Sequence, residues 1–199
     1  MAYLHGLEPQ IIHRDLKSLN LLLVKPILST QDLPLVKVAD LGLSRTRTQD
    51  FSLDWDSDSL SSVQSTHSPS RSIRSVGSTG RMTVEVGTLQ WMAPEVYTSD
   101  AYSEKVDVYS FAMVLFEIAW QRIPYVSEDG RQTFALDKVS RGFRPDIARL
   151  PPGCPEELPA LMKVCWHSDP ARRPRFEKVH PWLQAVSAEK GYNQWIVAL

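Results

Sequence analysis

Residues 103–120, S-E-K-V-D-V-Y-S-F-A-M-V-L-F-E-I-A-W, constrain the fold more than any other stretch. Read as a helix, they place Val106, Val108, Phe111, Ala112, Met113, Val114, Leu115, Phe116, Ile118 and Ala119 almost all the way round the axis. A helix that is apolar on every side has no stripe to show to water, so other elements must enclose it. The rest of the chain therefore has to supply a cover. Its length of 199 residues, 43% of them hydrophobic, suits one globular domain built around that helix.

The covering elements can be placed in outline. Residues 155–166 read as an amphipathic helix with Leu158, Leu161, Met162, Val164 and Cys165 inward. Residues 175–190 read as a last helix, and Pro181 within it predicts a kink or a split. Residues 125–142 suggest a loop and a modest helix. Leu21–Val24 and Leu35–Val38 are predicted to pair as a hairpin, Val36-Lys37-Val38-Ala39 having strand character, with Lys25–Pro34 as a surface excursion between the arms. The expected fold is mainly α with one small β-hairpin. From Ser44 to about Gly80 the composition changes abruptly to serine with scattered charge, and residues 46–80 are expected to form a disordered insertion.

Composition also narrows the functional classes. A net charge of −1 gives no support to bulk nucleic-acid binding. No apolar run approaches the ~18 residues a membrane span needs. The first six residues lack a basic region followed by an apolar one, so no signal peptide is expected. Cys154 and Cys165 do not make a disulfide framework, and the five histidines lack zinc-ligand spacing. A reducing, intracellular and cytoplasmic setting follows as the expectation.

The chemistry is concentrated in Ile11-Ile12-His13-Arg14-Asp15-Leu16-Lys17-Ser18-Leu19-Asn20, which contains the pattern H-R-D-L-x-x-x-N. Asp40-Leu41-Gly42 follows the second strand of the hairpin. Gly87 to Glu95 ends in Ala93-Pro94-Glu95, and Cys165 to Pro174 reads C-W-x-x-x-P-x-x-R-P. Together these segments resemble the large, C-terminal lobe of a eukaryotic protein kinase, closest to the tyrosine-kinase-like group of Ser/Thr kinases. The likeness covers nearly all of the chain but about two thirds of a kinase domain, since neither G-x-G-x-x-G nor a V-A-x-K strand occurs in it.

That resemblance implies ATP and Mg²⁺ as cofactors and a protein Ser/Thr side chain as substrate. Asp15 would orient or accept the proton of the attacking hydroxyl, a task for an ionised, acceptor-only carboxylate. Lys17 would set an ammonium against the transferring phosphoryl. Asn20 and Asp40 would supply hard oxygen ligands to Mg²⁺. Gly42 would give the chain its permissive φ. Leu22 would touch the underside of the adenine, or serve simply as a core leucine. Thr88 would bond near Asp15 and Lys17, a pairing that favours Ser/Thr over Tyr substrates.

The remaining implied roles are structural and regulatory. Asp107 would accept from catalytic-loop amides and hold His13 and Arg14, or else be a plain acid favoured at a helix N-terminus. Arg173 would form a largely buried ion pair with Glu95. A phosphate in the serine-rich segment, or at Thr83, could pair with Arg14, making an upstream activating kinase a further partner. The segment could equally be an unregulated insertion. The kinase domain would span 1–190, with 191–199 as a tail.

Two other functions remain open at this stage: a non-catalytic, kinase-like scaffold module, and a truncated gene product. With most of the preceding helix and the small lobe missing, the chain alone is expected to be inactive. An uncovered apolar flank on the central helix and poor solubility are further expectations.

Overall fold

The structure, a computed structural model, describes residues 1–29, 32, 34–47, 89–98 and 102–190. In chain order they form α1 (Ala2–His5), β1 (Gln10–Ile12), β2 (Leu21–Leu23), β3 (Val36–Val38), β4 (Arg45–Arg47), α2 (Glu95–Thr98), α3 (Lys105–Trp120), α4 (Leu136–Ser140), α5 (Glu157–Cys165) and α6 (Phe176–Lys190). The serine-rich insertion, Thr83, Thr88 and the tail at 191–199 lie outside the described residues.

The all-round apolar helix is α3, and it forms the axis of the core. Val108, Tyr109, Ala112, Met113 and Phe116 are fully buried. Helix α5 packs along it through Leu158, Leu161, Met162 and Cys165, and α6 packs on α5. Helix α3 stops where Gln121 takes a left-handed conformation, φ 60°, and its N–H caps the Glu117 carbonyl at 2.8 Å.

One flank of α3 is not closed. Phe111, Val114 and Ile118 line a groove of about 730 Å³ together with β2, β3 and α6. The hairpin supplies the opposite wall by its register: Leu21 pairs with Val38 and Leu23 with Val36, and these four side chains point into the groove. Strand alternation sends Leu22 and Lys37, which face each other, to the other side.

Three features depart from the sequence reading. A second two-stranded sheet exists, in which β1 pairs antiparallel with β4, Ile11 opposite Thr46. The stretch expected to be an irregular insertion from residue 46 thus begins as a strand. Its pairing is made by main-chain groups, so the Arg-Thr-Arg side chains give no warning of it. Helix α6 is also unsplit, a single element that runs through Pro181, against one of the two outcomes expected there. An interior proline costs ~3 kcal/mol. Burial of Phe176, Val179, Leu183 and Val186 contributes ~1.5–3 kcal/mol each, which outweighs it. The third departure, at Gly42, belongs to the site. Among the described residues, no helix is long and apolar enough to cross a membrane.

Candidate active site

The loop from His13 to Asn20 has almost no regular structure of its own, so side chains from elsewhere must hold it. Asp107, fully buried in the first turn of α3, is the main anchor. Its Oδ2 accepts from the His13 N–H and its Oδ1 from the Arg14 N–H, both at 2.8 Å. A third donor, Nε2 of the buried His5, reaches Oδ2 at 2.8 Å. A charged acceptor taking three hydrogen bonds in the interior fixes the loop far better than a helix-dipole acid would.

His13 is itself buried and used at both ring nitrogens. Nε2 donates to the Ala39 carbonyl at 3.0 Å, and Nδ1 accepts from the Asp15 N–H at 3.3 Å. The Ala39 N–H in turn donates to the Asn20 carbonyl at 2.8 Å. The residue just before Asp40 is therefore clamped to both ends of the loop, which brings Asp15, Asn20 and Asp40 to one region.

Asp15 is buried, and its Oδ2 receives Lys17 Nζ at 2.8 Å and Asn20 Nδ2 at 3.1 Å. Asn20 Nδ2 also donates to the Asp15 main-chain carbonyl at 2.7 Å, which turns the amide oxygen the other way. Among the described residues, Asp15 Oδ1 is buried and accepts nothing. A buried carboxylate oxygen without a donor is costly, so it is a natural place for an incoming hydroxyl.

Asp40 is exposed and sits at φ 63°. The left-handed residue of this turn is therefore Asp40, not Gly42, whose φ is ordinary. Glycine is required at 42 for a different reason. Its N–H donates to Asp40 Oδ1 at 3.2 Å, and a Cβ built there would stand 3.1 Å from that oxygen. Among the described residues no group of three or more His, Cys, Asp or Glu side chains forms a protein-only metal cage. One carboxylate and one amide oxygen are the donor set magnesium takes when phosphates and water complete its shell. Asp40 and Asn20 fit that requirement.

Leu22 is 53% exposed on the outer side of the hairpin, so it is not a core leucine. Arg14 also sits in the left-handed region, φ 69°. Its Nε donates to the Leu43 carbonyl and its Nη1 to the Tyr102 hydroxyl at 2.6 Å.

Below the site, Arg173 is fully buried and grips Glu95 with two nitrogens, Nη1 to Oε1 at 2.5 Å and Nη2 to Oε2 at 3.0 Å. Its Nε donates to the His167 carbonyl at 2.8 Å. Two contributors escaped the sequence reading. His5 lies in a helix too short to show a pattern. Glu117 lies in the apolar run of α3, where its Oε1 accepts from Ser18 Oγ and its Oε2 from Trp91 Nε1, both at 2.8 Å. Burial pushes the Glu117 carboxyl above its usual range, against the pull of those two donors. A second carboxylate in the last turn of the helix, after the apolar run that follows Asp107, was the signal that could have found it.

The family model for the protein kinase domain matches residues 1–183. The chain is 34% identical over 189 residues to the probable serine/threonine-protein kinase drkD of Dictyostelium discoideum, covering 95% of this chain and 11% of that protein. It is 34% identical over 194 residues to serine/threonine-protein kinase STY17 of Arabidopsis thaliana, covering 98% and 27%. The dual specificity protein kinase pyk3 of Dictyostelium discoideum is 32% identical over 189 residues, covering 95% and 11%. The chain thus spans a small part, at most about a third, of the curated relatives it matches.

Proposed function

The chain belongs to the protein kinase domain family, and from that premise we propose that it is the large lobe of a serine/threonine kinase of the tyrosine-kinase-like group. The domain runs over residues 1–190, with the serine-rich stretch as an insertion in its activation segment. The reaction is transfer of the terminal phosphoryl group of ATP to a Ser or Thr hydroxyl of a protein. Serine/threonine kinases among the relatives support that substrate class.

One observation carries the reading: a carboxylate with one oxygen held by Lys17 and Asn20 and the other buried without a donor among the described residues. Asp15 Oδ1 is placed to receive the substrate hydroxyl and to take its proton as the phosphoryl group is transferred. Lys17, held at 2.8 Å from Oδ2, brings positive charge to the oxygens of that group. Asn20 and Asp40 would hold magnesium, which supplies charge neutralisation at the phosphates when bound. Asp107 keeps the loop in place through its bonds to the His13 and Arg14 amides. A phosphate in the 44–83 segment, set by an upstream kinase, would pair with Arg14.

The 199 residues by themselves should transfer no detectable phosphate. A good site covers roughly 70–90% of its ligand, and one lobe leaves much of ATP open. Absence of the small-lobe lysine, by analogy with one oxyanion donor, costs about 10²–10³ in rate. Joined to a kinase small lobe, the chain should phosphorylate Ser and Thr in a general protein acceptor, and Asp15→Asn should abolish this. Transfer that persists in Asp15→Asn would sink the reading.

A second reading, a scaffold module without catalysis, is favoured by one observation, the open apolar groove between α3 and the hairpin. Magnesium-ATP titration of the joined protein separates the two. A scaffold shows no saturable binding that Asp40→Asn removes.

A further inference from the structure

The flanks of helix α6 differ in character. Phe176, Val179, Leu183 and Val186 face the core. Glu177, His180 and Pro181 line the apolar groove. The remaining flank carries Arg175, just before the first turn, and then Lys178 and Trp182 at helical spacing, the indole 37% exposed. Lys105, at the start of α3, lies beside this flank. Its Nζ donates to the Arg173 carbonyl, and Arg173 Nη1 donates back to the Lys105 carbonyl at 3.1 Å.

These cations are poorly matched by acids. Arg175 meets one carboxylate, Glu104, at 3.6 Å and keeps 73% of its side chain exposed. Lys105 and Lys178 form no ion pair among the described residues. The charge of Arg173 is already taken by Glu95. Burial lowers the Lys105 pKa, Glu104 raises it, and Arg175, Arg173 and Lys178 lower it again, so these groups stand close enough to repel. Helix stability does not call for them either, since a cation in a first turn opposes the helix dipole.

Lys105, Arg175 and Lys178 against Glu104 make a local positive surface with an apolar end, on a chain whose net charge is −1. Arg175 and Trp182 are about 10 Å apart along the helix axis, the span of about three residues of extended chain. We propose that this flank of α6 is a docking surface for a short extended protein segment in which adjacent carboxylates are followed, about three residues on, by an apolar side chain. The carboxylates lie along Lys105, Arg175 and Lys178, and the apolar side chain packs on the Trp182 ring. Nucleic acid fits less well, because proteins that bind it tightly engage about six to ten phosphates. A membrane surface asks for a whole apolar face beside the cations, and Trp182 alone does not supply one. Such docking needs no phosphoryl transfer, so it stands or falls apart from the kinase reading.

The test is fluorescence anisotropy of the labelled peptide Glu-Glu-Glu-Ser-Ser-Leu, titrated at low salt with the whole chain. Saturable binding is expected, and Lys178→Glu should weaken it about tenfold or more. Lys178→Ala, the milder change at the same exposed position, should cost about two- to fivefold. Replacing the peptide's leucine with serine should cost about threefold or more. Arg131→Glu alters net charge as much as Lys178→Glu does. It lies in the loop beyond the far end of α3, its side chain 84% exposed, and should leave binding within about twofold. Absence of saturable binding overturns the proposal, as does an equal loss in Arg131→Glu. Tighter binding of a single-stranded oligonucleotide or of phosphatidylserine vesicles than of the peptide also overturns it.

Discussion

The helical body and the hairpin face treat their side chains in opposite ways. In the body, even charge is enclosed and paired. The guanidinium carbons of Arg144 and Arg173 each stand 5.0 Å from the centroid of the buried Tyr109 ring, and Arg173 holds Glu95 with two bonds. On the hairpin, apolar side chains stand in the open: Leu28 is 85% exposed, and Leu22, Leu23 and Leu35 are each at least half exposed. The body is closed except along one flank of α3, whereas the hairpin leaves its leucines in the open. The loop from His13 to Asn20 lies at the border, fastened from below by Asp107 and open above at Asp40. On the proposed reading, such a division rests the chemistry on a rigid base and leaves the open side for its ligands.

If that contrast is real, single substitutions should have very unequal effects in the two regions. The largest loss should follow Arg173→Ala, which leaves Glu95 without its partner. Breaking a buried pair costs about 3–5 kcal/mol, readable as a lower denaturant midpoint. A loss below about 1 kcal/mol would mean that the body tolerates an open charge after all. Asp107→Asn should come next, at about 1–3 kcal/mol. Its amide nitrogen cannot accept, so at least one of the three donors from His5, His13 and Arg14 goes unmet. Amide exchange at residues 13–15 should rise with it.

A smaller effect is expected from the pH dependence of Glu117. Its folded carboxyl titrates above the ordinary value of 4.5 because of burial, so its charged form opposes folding. That opposition is full above the folded pKa and fades as pH falls toward 4.5. The melting temperature of wild type minus that of Glu117→Gln should therefore rise on acidification from neutral pH to about 5. A flat difference would show that the carboxylate is better solvated than its position implies. The smallest effect belongs to the hairpin. Leu28→Ser should leave stability within about 0.5 kcal/mol, yet reduce self-association in sedimentation.

The legible part of the fold was the part in which side-chain chemistry decides structure. Helix α3 follows from its apolar circumference, and β2–β3 from two short β-rich runs. Asp15, Lys17, Asn20 and Asp40 stand out because their types and spacing have a chemical reason. Features resting on main-chain geometry or on compensation stayed hidden. Strand β4 is Arg-Thr-Arg held by amide pairing, and Pro181 is absorbed because four buried side chains outweigh one lost bond. Glu117 was invisible for another reason. The residues that give it meaning, Ser18 and Trp91, are brought to it only by the fold.

On the proposed reading, the left-handed backbone at Asp40 bears on how an inert version of this protein is made. Among side chains, asparagine enters that region nearly as readily as aspartate, whereas a β-branched residue pays heavily for it. Asp40→Asn exchanges a charge for an amide and leaves the turn alone. Asp40→Val would also force the backbone, at ~1–2 kcal/mol, and a silent assay would then confuse lost chemistry with a displaced turn.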